Sequence, residues 1–421
     1  MRAPYHAPSS VTNTATAPSS LARGLAEILA LFRSHPDDLS KSELALLSGL
    51  SRTTINQRLE PLLAAGLLVP SSDDRRDRGR PPERFGIDAE RGVVLVADMG
   101  ASGLRVALCD MRARVLVERV ESSDVTKGPA RVLRRVAELF DDMLADYGQG
   151  PSAVSGIGLD VPGPVDHERG RVVTPPIMTG WHDFDIPAFF QPRFDCPVAV
   201  EKDTNAMAFG EHRLVHSTVD DLVFVKIGTG IGSGIIVGGN IYRGADGAAG
   251  DVGHIQIEWD HASPAPTCRC GKVGCVEAYA GGWALQRDLR DAGLDVSSVG
   301  DVVRLIRDGN PEATQLYRRA SSIVGWAISD MVNVINPKIV VLGGQLVGVD
   351  DLLFASVRET VYRRSLPLAT RSLQIVPTSL GEKVGVHGLS RLVLDDVFGP
   401  NGIHRLLEKK SGAPGTLLSH Q

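Results

Sequence analysis

Apolar side chains recur at helical spacing through Leu21, Leu25, Ile28, Leu29 and Phe32, marking one face of a first helix. Ser40 and Glu43 then stand three apart ahead of Leu44 and Leu47, a capping-box signature for a second helix that Gly49 breaks. Ser51 is placed to cap a third. Its inward face is Ile55, Leu59, Leu62 and Leu63, which leaves Arg52, Thr53, Thr54, Asn56, Gln57 and Arg58 pointing outward. Pro61 falls inside that helix, removes a backbone donor and predicts a kink. Gly66 closes the helix, Leu67-Leu68-Val69 reads as a strand, and after a polar tip from Ser71 to Pro82 the segment Arg84-Phe85-Gly86-Ile87 reads as its return partner. The pattern predicts an α+β winged helix-turn-helix.

Past Gly92 the chain alternates apolar strand-like runs with amphipathic helical segments, the mark of an α/β architecture. It also repeats itself. Val94 to Leu108, containing Asp98 and Gly100, and Val223 to Val237, containing Gly228-Thr229-Gly230, both read as strand, glycine turn, strand. Two such hairpins, each opening one half of the body, predict a duplicated two-lobe fold with a cleft between the lobes. Glycine turns at strand ends let backbone N–H groups approach phosphate closely, although an ordinary tight hairpin needs the same residues. The expected divisions are an arm over 1–20, the DNA-binding unit over 21–89, lobe 1 over 90–205, lobe 2 over 206–397 and a frayed tail over 398–421.

Composition sharpens this picture in three places. The first twenty residues are rich in Pro, Ser, Thr and Ala with no apolar core segment and no basic start, so a disordered arm is expected and a secretory signal is not. No apolar run approaches the length of a membrane span, and a cytoplasmic location follows as an expectation. Net charge is −5 with a pI of about 6.1, so a nucleic-acid surface has to be local. Between Ser51 and Arg84 seven arginines face five acids, and Arg75, Arg76, Arg78 and Arg80 crowd the wing tip. The outward face of the third helix suits base edges and phosphates in a major groove, and the wing suits a narrow minor groove.

Gly253-His254 is followed by Cys268-Arg-Cys270-Gly-Lys-Val-Gly-Cys275, which gathers one imidazole and three thiols. These ligands complete a closed tetrahedral Zn2+ site with no position left for water, hence a structural clip and not a hydrolytic centre. A disulfide is the alternative, but a Cys-X-Cys pair is too cramped to bridge easily. Cys109, near the end of an apolar strand, and Cys196, before Pro197, read as packing thiols; Trp181 and His182 read as packing residues of a loop.

Asp98 after the first strand, Gly228-Thr229-Gly230 after its counterpart, Gly250-Asp251-Val252-Gly253-His254 leading into the cysteines, and Glu277 beyond them together resemble the ROK family of sugar kinases and repressors. The resemblance covers roughly residues 90 to 397 and, with the winged helix in front, extends to the repressor branch. It implies an actin-like, sugar-kinase (RNase H-like) body. It further implies that Asp203, in Glu201-Lys202-Asp203-Thr204-Asn205, is the general base of a kinase, and that Asp203, Asp251, His254 and Glu277 face sugar hydroxyls. Asp98, Gly100, Gly228, Thr229, Gly230, Gly343 and Gly344 would border ATP and Mg2+ if kinase activity is retained.

The chain departs from the family pattern at three of these positions. Ala101 stands where a phosphate loop favours glycine, Lys202 replaces a sugar-contacting asparagine, and Asp251 stands in for a glutamate. Lys202, beside Asp203, is also placed to hold it in an ion pair and lower its pKa. These departures favour a sugar-sensing repressor without turnover, acting on double-stranded operator DNA as a dimer or tetramer and answering to a sugar or sugar phosphate. The alternative is an ATP-dependent, glucokinase-like sugar kinase that uses Asp203 as base.

Overall fold

The computed structural model describes residues 18–35, 37–71, 83–259 and 264–411. Helix α1 (Ser20–Ser34) is capped by the Ser19 hydroxyl and buries Leu25, Ile28, Leu29 and Phe32. Leu21, expected on the same face, is half exposed because it lies in the first turn. A two-residue strand β1 (Leu39–Ser40) precedes α2 (Lys41–Ser48), where both arms of the capping box form: Ser40 N donates to Glu43 Oε2 at 2.7 Å and Glu43 N to Ser40 Oγ at 3.3 Å. Gly49, at φ 70°, ends the helix as read from sequence. Leu44 is buried, whereas Leu47 stays largely exposed.

Helix α3 (Arg52–Ala64) is capped by Ser51, contains Pro61 and buries Ile55, Leu59 and Leu62. Strands β2 (Leu68–Ser71) and β3 (Arg84–Ile87) pair antiparallel, and β1 joins β3 on its other side through Leu39 and Phe85. This is the winged helix-turn-helix that the periodicity predicts. The wing tip with Arg75, Arg76, Arg78 and Arg80, and the arm up to residue 17, lie outside the described residues.

The body opens with β4 (Val93–Met99), β5 (Gly103–Asp110) and β6 (Val115–Ser122), an antiparallel meander. Helix α4 (Pro129–Asp146) turns its Val132, Leu133, Val136 and Phe140 face onto that sheet. Strand β7 (Val154–Val161), the short ribbon β8 (Val165–Asp166) and β9 (Arg171–Val172), helix α5 (Ile186–Phe190) and strand β10 (Val198–Lys202) complete lobe 1 in the order β10-β7-β4-β5-β6. Trp181 is fully buried in this core, with its indole N–H donating to Val125 O at 2.9 Å.

Helix α6 (Asp203–Leu214) then leads to β11 (Leu222–Ile227), β12 (Ile231–Val237) and β13 (Asn240–Ile241). Helices α7 (Val276–Ala280), α8 (Gly282–Asp291), α9 (Val299–Arg307) and α10 (Pro311–Ile335) follow. After them come β14 (Ile339–Gly343), α11 (Leu352–Arg364), α12 (Pro367–Thr370) and β15 (Gln374–Pro377). The second sheet runs β13-β12-β11-β14-β15. Each sheet is thus a three-stranded antiparallel meander extended, beyond its first strand, by two successive parallel strands, so the two glycine hairpins open two copies of one topology. This is the two-lobe α/β body of the sugar-kinase, actin-like class.

Helix α13 (Val384–Val397) crosses α6 at nearly bare backbone: a Cβ on Gly210 would meet Val384 O at 2.6 Å and Gly388 N at 2.9 Å. In place of the frayed tail expected after Gly399, the chain forms α14 (Pro400–Ser411). The contacts divide the chain into two units, one of Ala89–Leu394 and one that joins the described part of residues 1–88 to the segment from Asp395 onward. Within the latter, α14 packs on α1, and Arg33 Nη1 pairs with Asp395 at 2.9 Å. Among the described residues no helix is long and apolar enough to cross a membrane.

Candidate functional site

Three groups of side chains carry chemistry. On the winged unit, Arg52, Thr53, Asn56 and Gln57 stand exposed along the outer face of α3, free of the core that Ile55 and Leu59 occupy. Two other residues of the predicted face are engaged at home. Thr54 gives its N–H to Ser51 Oγ at 3.1 Å and lies 2.9 Å from it through its own hydroxyl. Arg58 Nη1 donates to Glu27 Oε2 at 2.6 Å, and its guanidinium lies over α1 at Gly24, where a Cβ would come within 3.0 Å of it. Sequence periodicity gives the face of the helix but not the long-range partner 31 residues away.

The second group is the cluster of His254, Cys268, Cys270 and Cys275, whose ligand atoms all lie within 4.8 Å of one another. His254 Nδ1 is 3.6 Å from Cys268 Sγ, and Cys270 Sγ is 3.7 Å from Cys275 Sγ. Those separations match the edges of a tetrahedron about an ion with metal–sulfur bonds of about 2.3 Å, whereas a disulfide needs about 2.05 Å. The donor set therefore fits a metal ion and leaves no disulfide among these thiols. Cys109 is buried, and burial, with Asp110 beside it, pushes its thiol up to about 12, as suits a packing residue.

Cys275 is the residue just before α7, and Glu277 lies in the first turn of that helix. Glu277 is buried with both oxygens held: Oε2 accepts from Ile231 N at 2.9 Å, and Oε1 from Trp283 Nε1 at 3.0 Å. Gly230 leaves room for it, since a Cβ there would run into the Glu277 carboxylate, and Gly253 lets the chain pass close to the Ile231 carbonyl. The His/Cys cluster, Glu277 and the Gly228–Gly230 turn thereby form one connected piece, and Gly282 N and Trp283 N donate to Gly228 O and Thr229 O at 2.8 and 3.0 Å.

The third group gathers at the carboxyl ends of the parallel strands, the place where open α/β sheets bind ligands. Asp203 starts α6; its Oδ1 accepts from Thr204 N at 2.7 Å, and its Oδ2 accepts from Lys226 Nζ at 2.6 Å. The ion pair expected from Lys202 is therefore made by Lys226, a residue that no sequence motif marks. Lys202 is buried, and its amine reaches Ala249 O at 3.5 Å. Desolvation lowers its pKa against the opposing pull of Asp251, Asp203 and Glu201. Asp251 itself is exposed.

Asp98 and Asp160 adjoin Asp203 and Lys226. Asp160 is wholly buried, its Oδ1 accepts from Met99 N at 3.0 Å, and desolvation together with the charges of Asp98 and Asp203 raises its pKa well above the usual carboxylate range. Desolvation raises Asp98 as well, against the pull of Lys226. Beside them Glu201, also buried, accepts from Arg243 Nε at 2.9 Å and Nη2 at 2.6 Å, and from Asn205 Nδ2 at 2.9 Å. Asp160, Lys226 and Arg243 were not singled out in the sequence, because each is contributed from a different strand or loop, whereas Glu201 opens the segment that carries Asp203.

The glycine turns keep their shapes. Gly100 N donates to Gly103 O at 2.8 Å and Gly228 N to Gly230 O at 3.0 Å. Gly344 has φ 103°, and a Cβ there would meet Ile227 O at 2.5 Å, so this turn admits only glycine without strain.

Comparison with known proteins agrees with both units. Residues 94–396 match the ROK family, and residues 27–69 match a winged helix-turn-helix DNA-binding domain. The xylose repressor of Bacillus spizizenii is 26% identical over 360 residues, covering 85% of this chain and 91% of its own. The glucokinase of Thermotoga maritima is 27% identical over 317 residues, covering 72% of this chain and 97% of its own. The crystal structure of a ROK family transcriptional regulator, a homologue of the E. coli MLC protein, superposes with a TM-score of 0.76 over 92% of this chain and 99% of its own at 22% identity. A Streptomyces griseus ROK glucokinase in complex with glucose and AMPPNP gives a TM-score of 0.61 over 72% of this chain and 99% of its own at 25% identity. With a match that spans most of the body, and a winged helix-turn-helix ahead of it, this chain belongs to the ROK family.

Proposed function

We propose that this protein is a sugar-responsive transcriptional regulator, a repressor that binds operator DNA through α3 and the wing and carries a kinase-like body without turnover. The observation that carries the reading is the exposed Arg52, Thr53, Asn56 and Gln57 face of α3, a reading surface that a sugar kinase has no use for. Xylose repressors align over 85% of this chain, more than the body alone supplies, while the Thermotoga maritima glucokinase aligns over 72% of it. Support for lost turnover comes from Lys226, because a carboxylate already bonded to an ammonium at 2.6 Å is a poor acceptor for a sugar hydroxyl proton.

The effector is a sugar or sugar phosphate held between the lobes by Asp203, Asp251, His254 and Glu277, with Zn2+ on His254, Cys268, Cys270 and Cys275 fixing the loop and helix that carry two of these groups. A bound sugar that favours one lobe arrangement would change the spacing of paired reading heads in a dimer or tetramer. Operator titration by fluorescence anisotropy, with and without a panel of pentoses, hexoses and their phosphates, tests this. A shift in operator affinity for at least one sugar is expected; identical affinity across the panel overturns the reading.

A second reading, an ATP-dependent sugar kinase, is favoured by the retention of Asp203 at the start of α6 beside intact glycine turns. It predicts turnover with ATP and Mg2+ that Asp203→Asn abolishes in a coupled assay, whereas the regulator predicts none.

A further inference from the structure

Three acids from separate elements act on one another: Asp98 near the end of β4, Asp160 near the end of β7 and Asp203 at the start of α6. The cation that stands among them is Lys226. Its Nζ lies 2.6 Å from Asp203 Oδ2, and the Asp98 and Asp160 carboxyls are also within its electrostatic reach. Its stem runs along the second glycine turn, with Cε 3.9 Å from where a Cβ on Gly228 would be. Asp160 is completely buried, and among the described residues its Oδ2 faces no hydrogen-bond donor. Its neighbour is the Asp98 carboxyl, and two carboxylates can share only a proton. Arg105 also acts on Asp98 but is itself paired with Glu118 and Glu382, so Lys226 is the one cation bonded within this oxygen cluster, and a fully buried oxygen is aimed into it.

We propose that Lys226 is a tethered cation occupying a latent divalent-cation site built from Asp98, Asp160 and Asp203. Oxygen ligands from three carboxyl groups suit a hard divalent ion, and the ammonium competes for the same oxygens. The lysine is held by its own strand, so it neither dissociates nor brings a nucleotide with it. Ligand binding in this body is consequently independent of divalent metal at that point. The idea deepens the regulator reading and rests on it for its biological sense, but its test uses neither sugar nor DNA, so the two fail separately.

The probe is Mn2+ on the full chain with its thiolate cluster saturated with Zn2+, read by electron paramagnetic resonance and thermal melting. Wild type is expected to take up no Mn2+ saturably. Lys226→Met, which keeps the length of the stem and removes the charge, is expected to bind one Mn2+ and to melt roughly 5 °C higher at a hundredfold excess over Kd. Adding Asp160→Asn and Asp98→Asn to that variant should abolish the binding, and Lys226→Arg should behave as wild type. A Lys226→Met protein that folds only when Mn2+ is present also supports the proposal. Equal Mn2+ affinity in wild type and Lys226→Met overturns it, as does a variant that binds none or stays unfolded with Mn2+ added.

Discussion

At the scale of single residues, the two clusters of the body differ in how they are held and therefore in how they should fail. His254 and Cys275 would be separate ligands of the proposed clip, and Cys275 leads directly into the helix that carries Glu277. His254→Ala should lower bound zinc from about one ion per chain to near none by elemental analysis, since a structural site binds by its complete ligand set. The same variant should lose the chelator-sensitive part of its melting temperature; zinc retained at full occupancy would rule the clip out. Asp160 calls for a pH experiment. Burial, then the charges of Asp98 and Asp203, raises its folded pKa, so its contribution to stability is complete below the unfolded carboxylate value of about 4 and is lost as pH rises through the folded value. Asp160→Asn keeps an acceptor for Met99 N–H and cannot ionise. Its melting temperature should fall less with rising pH than that of wild type, and an unchanged slope would count against a protonated Asp160. The cluster of His254, Cys268, Cys270 and Cys275 was legible in the sequence because its members fall within a short stretch with its own turns. Lys226 was not, because a lysine alternating with Val225 and Ile227 on a strand reads as a solvated side chain until the opposite lobe supplies its partner.

At the scale of elements, local rules were enough wherever an element is fixed by its own residues. Ser40 with Glu43, Ser51 and Gly49 mark helix ends that the chain adopts, and both segments read as strand, glycine turn, strand form antiparallel hairpins. What stayed hidden is the packing of elements distant in sequence. The crossing of α6 and α13 depends on Gly210 and Gly388, neither of which stands out in a helical pattern. A Cβ on Gly388 would run into the carbonyl of Ala206, and that backbone cannot yield without lifting α6 from its place against β12. Gly388→Ala should therefore cost about 2–3 kcal/mol or more by denaturant titration, in the range of overpacked cores, despite the gain in helix propensity. Gly148→Ala, at a positive φ with open space around it, should cost only the backbone strain of about 1 kcal/mol. If both cost the same, close approach is not what selects glycine at the crossing. Helix α14 shows the opposite limit: a Pro start and an apolar Ile403 were present in the sequence, yet a short helix after Gly399 becomes stable only by burying that face, as α1 allows.

At the scale of the whole molecule, a chain of net charge −5 can bind a polyanion only through a local surface, since the remainder is repelled. The candidates for that surface are the exposed α3 face and the arginines of the wing, Arg75, Arg76, Arg78 and Arg80. Neutralising a phosphate releases counterions and reading a base edge does not, so the two sets of residues should separate in a salt titration. Replacing Arg78 and Arg80 with alanine should weaken binding to operator and random duplex alike and flatten the slope of log K against log salt by about 0.9 for each phosphate no longer neutralised. Asn56→Ala and Gln57→Ala should leave that slope nearly unchanged and narrow the gap between operator and random duplex, because each base-reading pair contributes about 1–3 kcal/mol of discrimination. Arg58→Ala should resemble neither, since its guanidinium is bonded to Glu27 and its removal acts on the packing of α1 with α3. All of these substitutions lie in the winged unit, which is compact apart from the body, so a melting shift given by the proposed sugar effector should survive them. Wing variants that keep the full salt slope would place the phosphate-binding arginines elsewhere on the chain.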